Sequence, residues 1–99
     1  MHARMFEFAG STEEIEAAVA LARDEILPLE QQMPGFRGLI LLADREDQRL
    51  VSVSLWESEE QMHESEASAR MLARLGAQSI GGKRVAIEPF DVALFELEP

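Results

Sequence analysis

Apolar residues recur along the chain with two different periods, and the switches between them divide it into six elements. Over residues 3–9 the period is two, with Phe6 and Phe8 on one side and Met5 on the other, which predicts a strand. Gly10-Ser11 ends it. The run Ser11-Thr12-Glu13-Glu14 has the S-x-x-E form of a capping box, in which the serine holds the first free amides of a helix and Glu14 reaches back. Behind it Ile15, Ala18, Val19, Ala22, Ile26, Leu29 and Met33 fall on one helical stripe, with acids mostly on the other side. Pro28 deletes a backbone donor and crowds the preceding turn, so a kink or break is expected near Leu27.

Pro34-Gly35 stops the helix, and residues 36–43 and 50–56 read as strands joined by the polar stretch 44–49. A connection this short joins antiparallel neighbours. Ser58-Glu59-Glu60-Gln61 repeats the capping-box pattern and opens a second helix. Its apolar sector runs from Met62 through Ala69, Leu72 and Ala73, and its polar sector holds Glu59, His63, Glu66, Arg70 and Arg74. After Gly81-Gly82, residues 84–97 form the last extended segment, where Pro89 demands an edge position or a bulge. The order β-α-β-β-α-β is the ferredoxin-like α+β plan, a single domain over residues 1–99. Strand 36–43 is apolar on both sides, with Phe36, Ile40 and Leu42 opposite Leu39, Leu41 and Ala43. Two helices cover one face of a four-stranded sheet, so the other face asks for a second copy of the chain, and a homodimer is expected.

Composition narrows the partners. Hydrophobic residues make up 46% of the 99, ordinary for a globular protein, which argues against disorder. Nineteen acids against nine bases give a net charge of −10, which repels nucleic-acid backbones and anionic lipid surfaces; neither is expected as a partner. The chain has no cysteine, which removes disulfides, thiolate metal sites and cysteine nucleophiles and fits a reducing cytoplasm. No apolar run approaches a membrane span, and the first residues lack the features of a signal peptide.

Two stretches resemble the antibiotic-biosynthesis-monooxygenase-like domains. One is Ile26-Leu27-Pro28-Leu29 followed by Met33-Pro34-Gly35-Phe36-Arg37-Gly38, and the other is Val51-Ser52-Val53-Ser54-Leu55-Trp56-Glu57-Ser58-Glu59-Glu60. The resemblance implies a dimeric α/β barrel in which two sheets close face to face with helices outside. It implies activities that range from cofactor-free oxidation of polyketide quinols to haem degradation and small-molecule sensing. The catalytic sets of such relatives do not carry over, because the haem-degrading set needs an asparagine and the quinone-oxidising set an asparagine or a tyrosine. This chain contains neither residue.

A small apolar or aromatic ligand is therefore expected against Trp56, Ser54, Met62 and Phe36, with no cofactor and no metal. Trp56, the single tryptophan, is either the wall of an apolar pocket or a packing residue that fixes helix to sheet. Ser52 and Ser54 share its face of the strand, and a hydroxyl on an apolar wall orients a ligand carbonyl. His63 falls on the polar sector, facing solvent rather than a pocket, and His2 lies at a frayed start; together they offer no zinc-ligand spacing. Glu25, Glu30, Glu57 and Glu88 are read as solvated acids. No histidine is placed to activate a serine and no nucleophile elbow exists, so hydrolysis is set aside. The functional reading is a cofactor-independent monooxygenase of a small aromatic or quinol-type metabolite, with a non-catalytic binding or sensing module as the alternative.

Overall fold

The computed structural model describes residues 1–65 and 83–98, and over 83–87 it is the backbone and strand pairing alone that are described. The strands are β1 (His2–Ala9), β2 (Phe36–Asp44), β3 (Arg49–Trp56) and β4 (Lys83–Asp91). The described helices are α1 (Thr12–Leu21), α2 (Leu27–Glu30) and α3 (Glu59–Glu64), with a π-helical turn, Ala22–Ile26, between the first two. The strands form one antiparallel sheet in the order β2-β3-β1-β4, the ferredoxin-like arrangement anticipated from the hydrophobic pattern. Beyond Ser65, the second helix read from the sequence lies outside the described residues. No described helix is long and apolar enough to cross a membrane.

Local chemistry sets the helix starts. Ser11 forms the complete capping box: its Oγ accepts from the Glu14 amide at 3.2 Å, and its own amide donates to Glu14 Oε1 at 2.8 Å. At Ser58 only half of the expected box forms. Ser58 Oγ accepts from the Gln61 amide, but the Gln61 side chain takes the Ser58 hydroxyl proton instead of reaching back to the Ser58 backbone. Gln61 also lies directly above Gly35, where φ is +82° and a Cβ would stand 2.3 Å from Gln61 Oε1. Glycine is thus required there twice, for its backbone angle and for the close approach of α3.

Pro28 leaves its mark in the way its chemistry dictates. The proline ring would press on the carbonyl four residues back and offers no amide in return. The helix widens just before it, so that the Leu27 amide reaches the Ala22 carbonyl five residues away. This widening changes which side chains face the sheet. In a straight helix Leu29 would follow Ala22 and Ile26 on the inner stripe; the wider turn consumes one more residue, and Glu30 arrives there instead. The expected placement is thereby corrected: Leu29 is exposed and Glu30 is buried, only 8% of its surface remaining accessible.

Strand alternation divides the sheet into two faces. Phe8 and Leu50 face the helices and close with Ile15 of α1 into a core, against which Phe6, Ala18, Val19 and Leu41 pack. Burying each of the large side chains contributes about 1.5–3 kcal/mol. The strand register puts Ala3, Met5, Val51, Val53, Leu55, Ile40, Leu42 and Phe90 on the opposite face. There Ile40 is 41% exposed, Phe90 48% and Leu42 55%. Phe36 does not share that face as the alternation suggested. A register shift between Phe36 and Gly38 turns it to the helix side, opposite Trp56.

The final strand is also shorter than expected, ending at Asp91 rather than near Leu97. Just past the paired residues, the Val92 amide donates to the Met1 carbonyl at 3.0 Å. Leu94, Phe95 and Leu97 follow as exposed apolar side chains. Pro89 sits, as required, in an edge strand of the sheet. His2 is not frayed; it opens β1, paired between Trp56 and Asp91.

Candidate functional site

Four inward-facing positions meet at the end of the sheet where β1 begins and β3 finishes. Trp56 is completely buried. Its indole Nε1–H donates to Ser54 Oγ two residues earlier on the same side of the strand, at 3.0 Å. Phe36 meets the indole edge-on, with ring centroids 5.5 Å apart and planes at 73°. Arg4 lies across from Ser54 in the strand pairing, and its guanidinium carbon is 5.6 Å from the Trp56 ring centroid, a cation–π contact.

Arg4 also ties the sheet to α3. Its Nη2 donates to the Met62 carbonyl and, at 3.1 Å, to Ser65 Oγ, while the Ser65 hydroxyl donates to the same carbonyl at 2.7 Å. Met62 itself is buried. The four residues expected to line a ligand site, Phe36, Ser54, Trp56 and Met62, are thus gathered, with Arg4 joining the Trp56 ring to the Met62 backbone.

Arg4 and Glu30 were missed by sequence reasoning. Arg4 carried a usable signal, since it alternates in phase with Phe6 and Phe8 and must therefore point at the helices. Glu30 was read as a solvated acid, and burial overturns this. Desolvation raises its pKa from 4.5 to about 7, and the positive charge of Arg4 pulls in the opposite direction without prevailing. The other three acids set beside it in the sequence reading, Glu25, Glu57 and Glu88, are exposed.

The two histidines are placed differently: His2 pairs with Trp56 at the edge of this cluster, and His63 stands apart from it. His63 is exposed on α3, 3.4 Å from Glu59 one turn earlier. His2 Nε2 lies 3.7 Å from both Glu59 Oε2 and Asp91 Oδ1 at the sheet's rim. Among the described residues, no group of three or more histidine, aspartate or glutamate side chains is placed to hold a metal ion.

The fold is that of a small ferredoxin-like α+β domain, with one sheet face covered by helices and an aromatic, cation-bearing cluster beneath them. The chain belongs to the antibiotic biosynthesis monooxygenase family, whose model matches residues 1–74. It is 32% identical over 93 residues to an uncharacterised protein of Mycobacterium tuberculosis. That match takes in 94% of this chain but spans only about two fifths of the relative's length. Among solved structures, a monooxygenase from the gene ActVA-Orf6 of Streptomyces coelicolor, in complex with nanaomycin D, superposes with a TM-score of 0.74 at 19% identity, covering 99% of this chain and 91% of that one. A mutant of SnoaB, a cofactor-independent oxygenase from Streptomyces nogalater, gives 0.70 at 18% identity, covering 98% and 97%. At such identities the likeness is one of fold.

Proposed function

We propose that this domain is a cofactor-independent monooxygenase that binds a small electron-rich aromatic metabolite, of quinol or anthrone type, between its helices and its sheet. The observation that carries the reading is the placement of a guanidinium, Arg4, against the ring of a wholly buried Trp56, beside the apolar side chains of Phe36 and Met62. Oxidation of such a substrate by oxygen begins with an anion. A buried positive charge favours that anion, and a dry surrounding magnifies the effect. Trp56 and Phe36 offer aromatic surface to a planar ring, and Ser54 a hydroxyl in the same layer. Membership of the family supports the class of reaction, and the substrate within that class is our proposal.

The working unit is a homodimer, supported by the apolar face that carries Ile40, Leu42 and Phe90 and by the exposed apolar side chains of Leu94, Phe95 and Leu97 that follow β4. The cytoplasm is the compartment proposed, in keeping with the absence of cysteine.

One observation favours a second reading, a non-catalytic binding or sensing module. The Trp56 indole N–H is satisfied by Ser54 Oγ, and Arg4 donates to the Met62 carbonyl of α3, so these polar groups already serve the fold. Oxygen uptake with 1,8-dihydroxyanthrone, measured alongside Trp56 fluorescence, tests the two readings together. Saturable quenching with uptake above the uncatalysed rate is the expected result; saturable quenching without uptake selects the binding module.

A further inference from the structure

Among the described residues Glu30 is the only buried carboxyl. A charged group is normally buried only when paired and hydrogen-bonded. Yet among the described residues no backbone or side-chain donor hydrogen-bonds to it, and the charge it feels is Arg4, the same guanidinium that lies against Trp56. The widened turn ahead of Pro28 is what swings it inward and Leu29 out. A helix that sends leucine to water and glutamate to the interior has sacrificed stability at that position, and such inversions concentrate where a protein does chemistry.

We infer that Glu30 is the proton acceptor of the oxidation, taking a proton from the methylene carbon of a bound anthrone; the inference rests on the oxygenase reading above. The C–H bond breaks, the proton goes to the Glu30 carboxylate, and the electron pair stays on the ring carbon, where Arg4 stabilises the charge. Molecular oxygen, the oxidant, accepts the electrons and forms the new C–O bond as a peroxide anion, which takes the proton back from Glu30. Cleavage of the O–O bond with loss of the second hydrogen as water leaves a carbonyl. A methylene and one oxygen molecule thus become a carbonyl and one water, and Glu30 is regenerated. A carboxyl that titrates at about 7 is available as a base at neutral pH and is stronger than an ordinary carboxylate. Of the charged groups on the described elements packed around it, Arg4 on β1 is the one that acts on it.

Two measurements on the full chain test this. The first follows the carboxyl carbons of isotopically labelled glutamate against pH, with Glu30→Gln identifying the resonance. A midpoint of about 7 is expected, and an ordinary carboxylate midpoint overturns the inference. The second compares oxygen uptake with 1,8-dihydroxyanthrone in wild type and Glu30→Gln, with Trp56 fluorescence reporting binding and thermal unfolding reporting an intact fold. Glu30→Gln should bind as wild type does and take up oxygen at least about a hundredfold more slowly. Equal binding with equal uptake overturns the role of Glu30 and leaves the oxygenase reading standing. No uptake by wild type above the uncatalysed rate overturns the oxygenase reading, and the role of Glu30 with it.

Discussion

Replacing Glu30 by glutamine keeps the side chain's shape while removing its titration, and the stability of the variant against pH follows from the burial. A carboxyl whose pKa rises on folding holds its proton more tightly in the folded chain than in the unfolded one. The folded state therefore enjoys that advantage in full below the unfolded value of 4.5 and loses it as pH climbs to about 7. At about 1.4 kcal/mol per decade, this costs the wild type about 3 kcal/mol by the time Glu30 is ionised. Glu30→Gln escapes the loss, so its stability relative to wild type should rise by about 3 kcal/mol between roughly pH 4 and pH 8 and level off above. Urea unfolding followed by Trp56 fluorescence, at one fixed protein concentration so that the proposed association weighs equally on both chains, gives both curves. Other titrating groups cancel in the difference. A difference that stays constant across this range would refute the reasoning, because it would mean that Glu30 is as well solvated in the folded chain as out of it.

Arg4→Met removes the donors to the Met62 carbonyl and Ser65 and should cost about 3 kcal/mol; the Glu30 titration should move upward once the opposing charge is gone, and a downward movement would contradict the assignment. Trp56→Ala empties the largest fully buried side-chain volume and should cost about 3–5 kcal/mol in urea unfolding. Gly35→Ala meets both a positive φ and the Gln61 side chain, and should lower stability by more than about 1 kcal/mol. Light scattering at micromolar concentration should report about twice the 11.1 kDa chain mass, with an interface above roughly 2,000 Å². Leu42→Glu combined with Phe90→Glu should shift the protein to monomer, and an unchanged mass would place the contact elsewhere.

The elements that rest on local chemistry could be read from the sequence. The Ser11 box, the stop at Pro34-Gly35 and the disturbance at Pro28 each follow from one or two residues, and the strand order follows from the alternation those signals bound. What could not be read depends on register over distance. Phe36 changes face because of a bulge that its own sequence does not announce. Of the cluster, Trp56 and Ser54 could be placed from the strand alternation and Met62 from the helix start, whereas the face of Phe36 could not. Glu30 could not, since the periodicity that places Leu29 inside counts 3.6 residues per turn, and the helix departs from that count for one turn just before it.

That one turn also changes how the chain should be laid beside others. Two turns of a straight α-helix take about seven residues, whereas the path from Ala22 to Glu30 takes eight. In a relative whose helix runs without the widening, the residue standing in Glu30's place is therefore the seventh after the counterpart of Ala22, and the gap that restores the correspondence belongs within residues 22–26. Aligned without that gap, Glu30 would be matched to a neighbour on the wrong side of the helix, and the carboxyl would look unshared even where its spatial equivalent was present.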